Sequence, residues 1–178
     1  DSGIPIVGFD SGVPGAPEGA IVANCSTDNL AAGGLAADEV YALISDRIAN
    51  AEGTVRIGVV AQDATSESVV NRGLGFIQEM ASLVADSGKT VGMASVSNER
   101  YVTDSGVEDG IITANENLNK CGTGEGQVVA AGFDSGASIM NAVRSGVFAG
   151  AVTQAPVAMG EYLVETLVAA ANGETVED

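Results

Sequence analysis

The chain has 178 residues, of which 46% are apolar and 4% aromatic, so it can bury a core the size of one large domain or of one domain plus part of another. Seven Lys and Arg against 24 Asp and Glu give a formal charge of −17, which repels phosphate backbones and argues against a nucleic-acid partner. The absence of His excludes Ser-His-Asp and Cys-His catalysis and removes the commonest transition-metal ligand.

Short β-branched runs alternate with helical patterns along the chain. Strands are predicted at 4–9, 21–24, 54–60, 90–96, 110–113, 127–133 and 150–153, and helices at 29–49, 66–85, 137–145 and 157–171. In the first helix the spacing is visible in Leu30, Leu35, Val40 and Leu43. Because most of the strands are uniformly apolar and alternate with helices, the order predicts an α/β fold with a doubly wound parallel sheet.

Two short connections, two cysteines and one glycine-rich run do not point to a particular chemistry. Segments 97–109 and 116–126 are short for parallel crossovers, so they are either irregular loops or places where natural residues are missing. Cys25 and Cys121 have no CxxC spacing, which leaves their pairing open but supports neither a zinc site nor a redox motif. The GTGEG run at 122–126 lacks the Lys of a phosphate loop and is interpreted as a turn.

The sequence shows no pattern typical of a membrane span or of an N-terminal export signal. No apolar run approaches the roughly 20 residues of a membrane span, and no basic segment followed by an apolar run opens the chain. The chain starts at Asp1 rather than Met, which indicates a processed or truncated product. Any export signal or lipid anchor is expected upstream.

One pentapeptide occurs twice, as Gly-Phe-Asp-Ser-Gly at 8–12 and again at 132–136, each time directly after an apolar strand. Open α/β sheets bind ligands outside the carboxyl ends of their strands, which is where Asp10 and Asp134 fall. The alternative is that Asp or Ser caps a following helix. The repeat alone leaves both interpretations open.

Six segments together resemble the periplasmic sugar-binding proteins of the ribose and galactose type, whose fold is shared by the ligand domains of LacI-type repressors. They are IPIVGFDSG (4–12), STDNLAAGGLAA (26–37), NRGLGF (71–76), GIITANE (110–116), VVAAGFDSG (128–136) and GAVTQAPVAMG (150–160). The resemblance implies two Rossmann-like lobes with sugar bound between them. Residues 1–27 would then be part of the N-terminal lobe, 28–154 the C-terminal lobe and 155–178 a helix returning to the N-terminal lobe, with the chain truncated at both ends.

The resemblance also implies a set of ligand-binding side chains. Asp10 and Asp134 match cleft aspartates that accept hydrogen bonds from sugar hydroxyls. Arg72, just before Gly-x-Gly-Phe, would offer a planar fork of donors. The alternative for Arg72 is a surface ion pair with Glu67 or Glu79.

Three further positions follow from the same resemblance. Asn115 matches a cleft Asn that can both donate and accept, although an Asx turn is the alternative. Gln154 matches a cleft glutamine near a crossover, and Pro156 predicts a helix start directly after it. Tyr101 would stack on the sugar ring, whereas an exposed loop tyrosine is the simpler interpretation.

The function expected from the resemblance is sugar capture, without catalysis or cofactor, for the permease of an ABC transporter. The protein would be an extracytoplasmic, monomeric solute-binding protein that holds a pentose or hexose by closing its lobes. One alternative is the effector-binding domain of a LacI-type transcription regulator, and a second is an enzyme acting on glycosides through Asp10 and Asp134.

Overall fold

A computed structural model describes residues 3–53, 55–61, 65–85, 87, 91–96 and 120–176. Within these residues, strands and helices alternate for most of the length. The strands are β1 (Val7–Phe9), β2 (Ala23–Cys25), β3 (Val55–Val60), β4 (Val91–Val96), β5 (Ala131–Phe133) and β6 (Gly150–Val152). The helices are α1 (Asn29–Ala49), α2 (Glu67–Ala85), α3 (Ala137–Arg144) and α4 (Pro156–Ala171).

The helix bounds agree with the predicted ones to within one residue, whereas two strands are shorter than predicted by three residues or more. The strand predicted at 127–133 begins only at Ala131, because Val128 pairs instead with Cys121. The strand predicted at 4–9 keeps only the three residues that are in register with β2. The strand predicted at 110–113 lies outside the described residues.

The described strands pair in parallel, as predicted. β1 pairs with β2, β3 with β4 and β5 with β6, so the described ladders form three two-stranded sheets. α4 packs on β1 and β2, α2 packs on β3 and β4, and both α1 and α3 contact β6. This arrangement places the chain in the α/β class.

The core is formed by one face of α1, one face of α2 and strand β3. Its buried members are Ala37, Val40, Ile44, Ile48, Ile57, Met80 and Val84. Of the residues that revealed the helical spacing of α1, only Val40 lies on this face, whereas Leu30, Leu35 and Leu43 are exposed. The buried residues of α1 are small in its first half, at Gly33, Ala36 and Ala37, and larger in its second half, at Val40, Ile44 and Ile48.

Two glycines set this close approach of α1 and α2. A Cβ on Gly33 would meet the backbone carbonyl oxygen of Arg72, and a Cβ on Gly75 would meet that of Leu30. A side chain at either position would therefore push against backbone, which cannot move aside as a flexible side chain can. The crossing brings the first turn of α1 beside the first half of α2.

The segment at 122–126 is a turn, as predicted, and it is held by a cation from α1. The Arg47 guanidinium donates to the carbonyl oxygens of Thr123, Gly124 and Gln127, at 3.2, 2.9 and 2.8 Å. Cys121 precedes this turn and is buried, and within the described residues neither Cys121 nor Cys25 forms a disulfide. Among the described helices none is both long and apolar enough to cross a membrane.

Candidate functional site

The repeated pentapeptide makes the same backbone turn at both of its positions. Asp10 and Asp134 have left-handed φ values of 66° and 70°, a region that Asp tolerates better than most residues. The backbone N–H of each donates to the end of the neighbouring parallel strand, Asp10 to the Cys25 carbonyl at 3.0 Å and Asp134 to the Val152 carbonyl at 2.8 Å. The two carboxylates therefore leave their strands in equivalent ways.

Helix capping does not account for the second aspartate. The N-cap residue of α3 is Gly136, and no side chain caps this helix. The Asp134 side chain is 58% exposed and faces the Arg72 guanidinium, with Oδ2 at 3.9 Å from Nη1. The Asp134 carboxylate is thus oriented toward a cation from another element and remains accessible to solvent.

Arg72, on α2, lies at the centre of the polar cluster. Its side chain is 13% exposed, and its Nε donates to Asn29 Oδ1 at 2.7 Å. The guanidinium carbon lies 5.3 Å from the centroid of the Phe133 ring, within the range of a cation–π contact. The alternative of a surface ion pair with Glu67 or Glu79 is wrong, because the carboxylate that Arg72 meets within the described residues is Asp134.

Gln154 joins this cluster from the segment between β6 and α4. With its amide oriented by the surrounding donors and acceptors, its nitrogen donates to Asp10 Oδ1 at 3.3 Å and its oxygen accepts from Arg72 Nη2. Gln154 thereby links the aspartate after β1 to the arginine on α2. Pro156 stands in the first turn of α4, as predicted.

Four of the five residues predicted for the site thus come together, namely Asp10, Arg72, Asp134 and Gln154. Asn115 lies outside the described residues, as does Tyr101. Two partners of Arg72, Asn29 and Phe133, were missed by the sequence reasoning. Phe133 belongs to the repeated pentapeptide, next to Asp134, and Asn29 is the first residue of α1.

The cluster combines donors and acceptors at the carboxyl ends of parallel strands. A cavity of about 190 Å³ opens next to it, lined by the turn that contains Asp10, by the segment entering α1 and by the first turn of α2. Within the described residues, no three Cys, Asp or Glu side chains are grouped closely enough to hold a metal ion. The arrangement is suited to binding neutral groups that both donate and accept hydrogen bonds.

Comparisons with known proteins find relatives described as sugar-binding or transport proteins, one of them also as a LacI family regulator. The chain is 28% identical over 187 aligned residues to the ribose import binding protein RbsB of Haemophilus influenzae, covering 98% of this chain and 60% of that protein. A structure described as an ABC transporter, LacI family transcriptional regulator from Brachyspira murdochii superimposes with a TM-score of 0.80 at 26% identity, covering 97% of this chain and 65% of that one. No family model matches.

A carbohydrate transporter solute-binding protein from Agrobacterium radiobacter, solved with D-arabinose, superimposes with a TM-score of 0.61 at 26% identity. That match covers 97% of this chain and 62% of that one, so the chain spans slightly less than two thirds of each relative's length. The chain therefore has the type I periplasmic-binding-protein fold and resembles the ribose-binding type over almost its whole length.

Proposed function

We propose that the chain is part of an extracytoplasmic solute-binding protein that captures a pentose or hexose for an ABC transporter. The observation that carries this proposal is the convergence of Asp10, Arg72, Asp134 and Gln154 at the ends of parallel strands. These side chains come from four separate parts of the sequence. A cluster of two carboxylates, one guanidinium and one amide can match the alternating donors and acceptors of a polyol.

The gap between Arg72 and Asp134 has the dimensions for a sugar hydroxyl. Arg72 Nη1 and Asp134 Oδ2 are 3.9 Å apart, which is too far for a direct hydrogen bond. A hydroxyl oxygen placed beside both atoms accepts from the guanidinium and donates to the carboxylate. Both of these bonds are charge-assisted, and such bonds are stronger than those between neutral groups.

Gln154 supplies the connection between the proposed lobes. We assign residues 1–27 to a first lobe, 28–154 to a second and 155–178 to a helix that returns to the first. The packing of α4 on β1 and β2 supports this division, and the contact of Gln154 with both Asp10 and Arg72 crosses it. Ligand bound at this contact would favour the closed arrangement of the lobes, since only that arrangement completes the set of partners.

The remaining parts of the proposal rest on the resemblance. Asn115 would contribute to the same site, and an import function requires the site to be outside the cell membrane, facing a permease. The protein would act as a monomer and without catalysis. An effector domain of a LacI-type regulator is a second candidate, because the description of the Brachyspira relative names that family, but a charge of −17 disfavours binding to DNA.

Isothermal titration calorimetry tests the proposal, with the full-length protein titrated with D-ribose, D-arabinose, D-galactose and D-glucose. We expect saturable binding of at least one sugar, and weaker binding of that sugar by Arg72→Lys, which keeps the charge but loses the planar fork. Arg144→Lys on α3 is the matched control. Binding that is equally tight in the Arg72→Lys variant would refute the assigned site, and binding of none of the four sugars would refute the proposed function.

A further inference from the structure

Both polar atoms of the buried Asn29 side-chain amide form hydrogen bonds, and one of these bonds is with Arg72 of the proposed site. The residue is 7% exposed. Its Oδ1 accepts from Arg72 Nε at 2.7 Å, and its Nδ2 donates to the Thr27 carbonyl at 2.8 Å. We propose that Asn29 is a positioning residue that fixes the plane of the Arg72 guanidinium for the ligand; this inference rests on the proposed function.

The Nε bond and the other contacts of Arg72 together set the orientation of its guanidinium group. The guanidinium is planar, and the bond at Nε holds one edge of it, while its central carbon lies over the Phe133 ring at 5.3 Å from the ring centroid. Nη2 meets the Gln154 oxygen. Nη1 is left directed toward Asp134 across 3.9 Å, where a ligand hydroxyl fits.

An asparagine is suited to this position because its amide is a donor and an acceptor in one rigid group. Since Nδ2 is committed to the Thr27 carbonyl, Oδ1 has to face Arg72. The amide is also neutral, so it orients Arg72 without neutralising the charge that the ligand and Asp134 meet. An aspartate would compete for that charge and would oppose the Thr27 carbonyl.

The backbone around Asn29 is held on both sides. Asp28 caps α1, since its Oδ1 accepts from the Ala31 N–H at 3.0 Å. One turn later, a Cβ on Gly33 would meet the Arg72 carbonyl oxygen, so the first turns of α1 pass close to the α2 backbone at Arg72. Asn29 thereby ties the guanidinium to the segment 27–29, which is the proposed crossover between the lobes.

A double-mutant cycle in the full-length protein tests this role against a purely structural one. It compares Asn29→Ala, Arg72→Lys and the double variant, using the sugar of the four-sugar panel that the wild-type protein binds. We expect Asn29→Ala to weaken sugar binding about 10-fold. In the Arg72→Lys background we expect the same substitution to have no further effect, because the hydrogen bond between Asn29 and Arg72 is already lost there. Equal weakening in both backgrounds, or no weakening by Asn29→Ala alone, would overturn the positioning role.

A measurement without sugar separates this inference from the proposed function. Hydrogen exchange of the Arg72 Nε–H, followed by NMR and assigned with Arg72→Lys, should be slow in the wild-type protein and fast in Asn29→Ala. Asn29→Asp, which keeps an acceptor for this N–H, should retain slow exchange and serves if the alanine variant does not fold. Fast exchange in the wild-type protein or in Asn29→Asp overturns the inference, whereas failure of every sugar to bind overturns only the proposed function.

Discussion

The Gly75→Ala substitution tests whether the close crossing of α1 and α2 is required for stability. The added Cβ would meet the backbone carbonyl of Leu30 in α1, so the helices have to move apart. Gly160, in α4, provides the matched control, because a Cβ there has no neighbour within 4 Å. Both positions are inside helices, so both substitutions gain the same helix propensity.

The magnitude follows from two opposing terms. Alanine is favoured over glycine in a helix by about 1 kcal/mol, which is the whole expected effect at Gly160. At Gly75 the overpacking costs roughly 1–3 kcal/mol, and the upper part of that range applies because the obstacle is backbone. We therefore expect Gly75→Ala to lower the free energy of unfolding by about 1–2 kcal/mol and Gly160→Ala to raise it by about 0.5–1 kcal/mol.

Urea unfolding of the two variants and the wild-type protein measures this difference. Gly75→Ala should also weaken sugar binding, because the crossing sets the distance between Asn29 and Arg72. A Gly75→Ala protein that is as stable as Gly160→Ala would refute the reasoning, since it would mean that the helices separate without cost.

Three further outcomes are expected. Asp134→Asn should weaken sugar binding about 10-fold or more, because a charged acceptor is lost. Stability should stay nearly unchanged, because Asn also tolerates a left-handed φ. Calorimetric titration with the bound sugar measures the first quantity, and thermal unfolding measures the second. Arg47→Ala should lower the free energy of unfolding by about 1 kcal/mol through loss of its bonds to the 122–126 turn, with Arg144→Ala nearly neutral; equal effects on urea unfolding would contradict this. Burial raises the pKa of the Cys121 thiol, so the folded state keeps this proton to higher pH than the unfolded chain, and stability should fall as pH rises above about 8.5. Cys121→Ala should reduce that fall, as urea midpoints across this pH range would show.

The pattern of apolar residues was sufficient to predict the helices and strands that the structure describes. The predicted bounds of α1 match the structure, and the others differ mainly where strand pairing decides the end, as at Ala131. Pairing depends on which segment lies alongside, which a local pattern does not contain. The sequence pattern did not reveal which side of α1 is buried. The leucines that carry the helical spacing are exposed, and the buried face includes Gly33, which has no side chain to mark it.

The sequence by itself determined an α/β chain with parallel strands, and its resemblance to a known family predicted Asp10, Arg72, Asn115, Asp134 and Gln154 as ligand-binding residues. Only the tertiary structure decided that Arg72 meets Asp134 rather than a carboxylate of its own helix, and that Asn29 holds its Nε. Side-chain partners across α1, α2 and β5 depend on how closely the elements pack. That distance is set by Gly33 and Gly75, whose absent side chains leave no hydrophobic signal in the sequence.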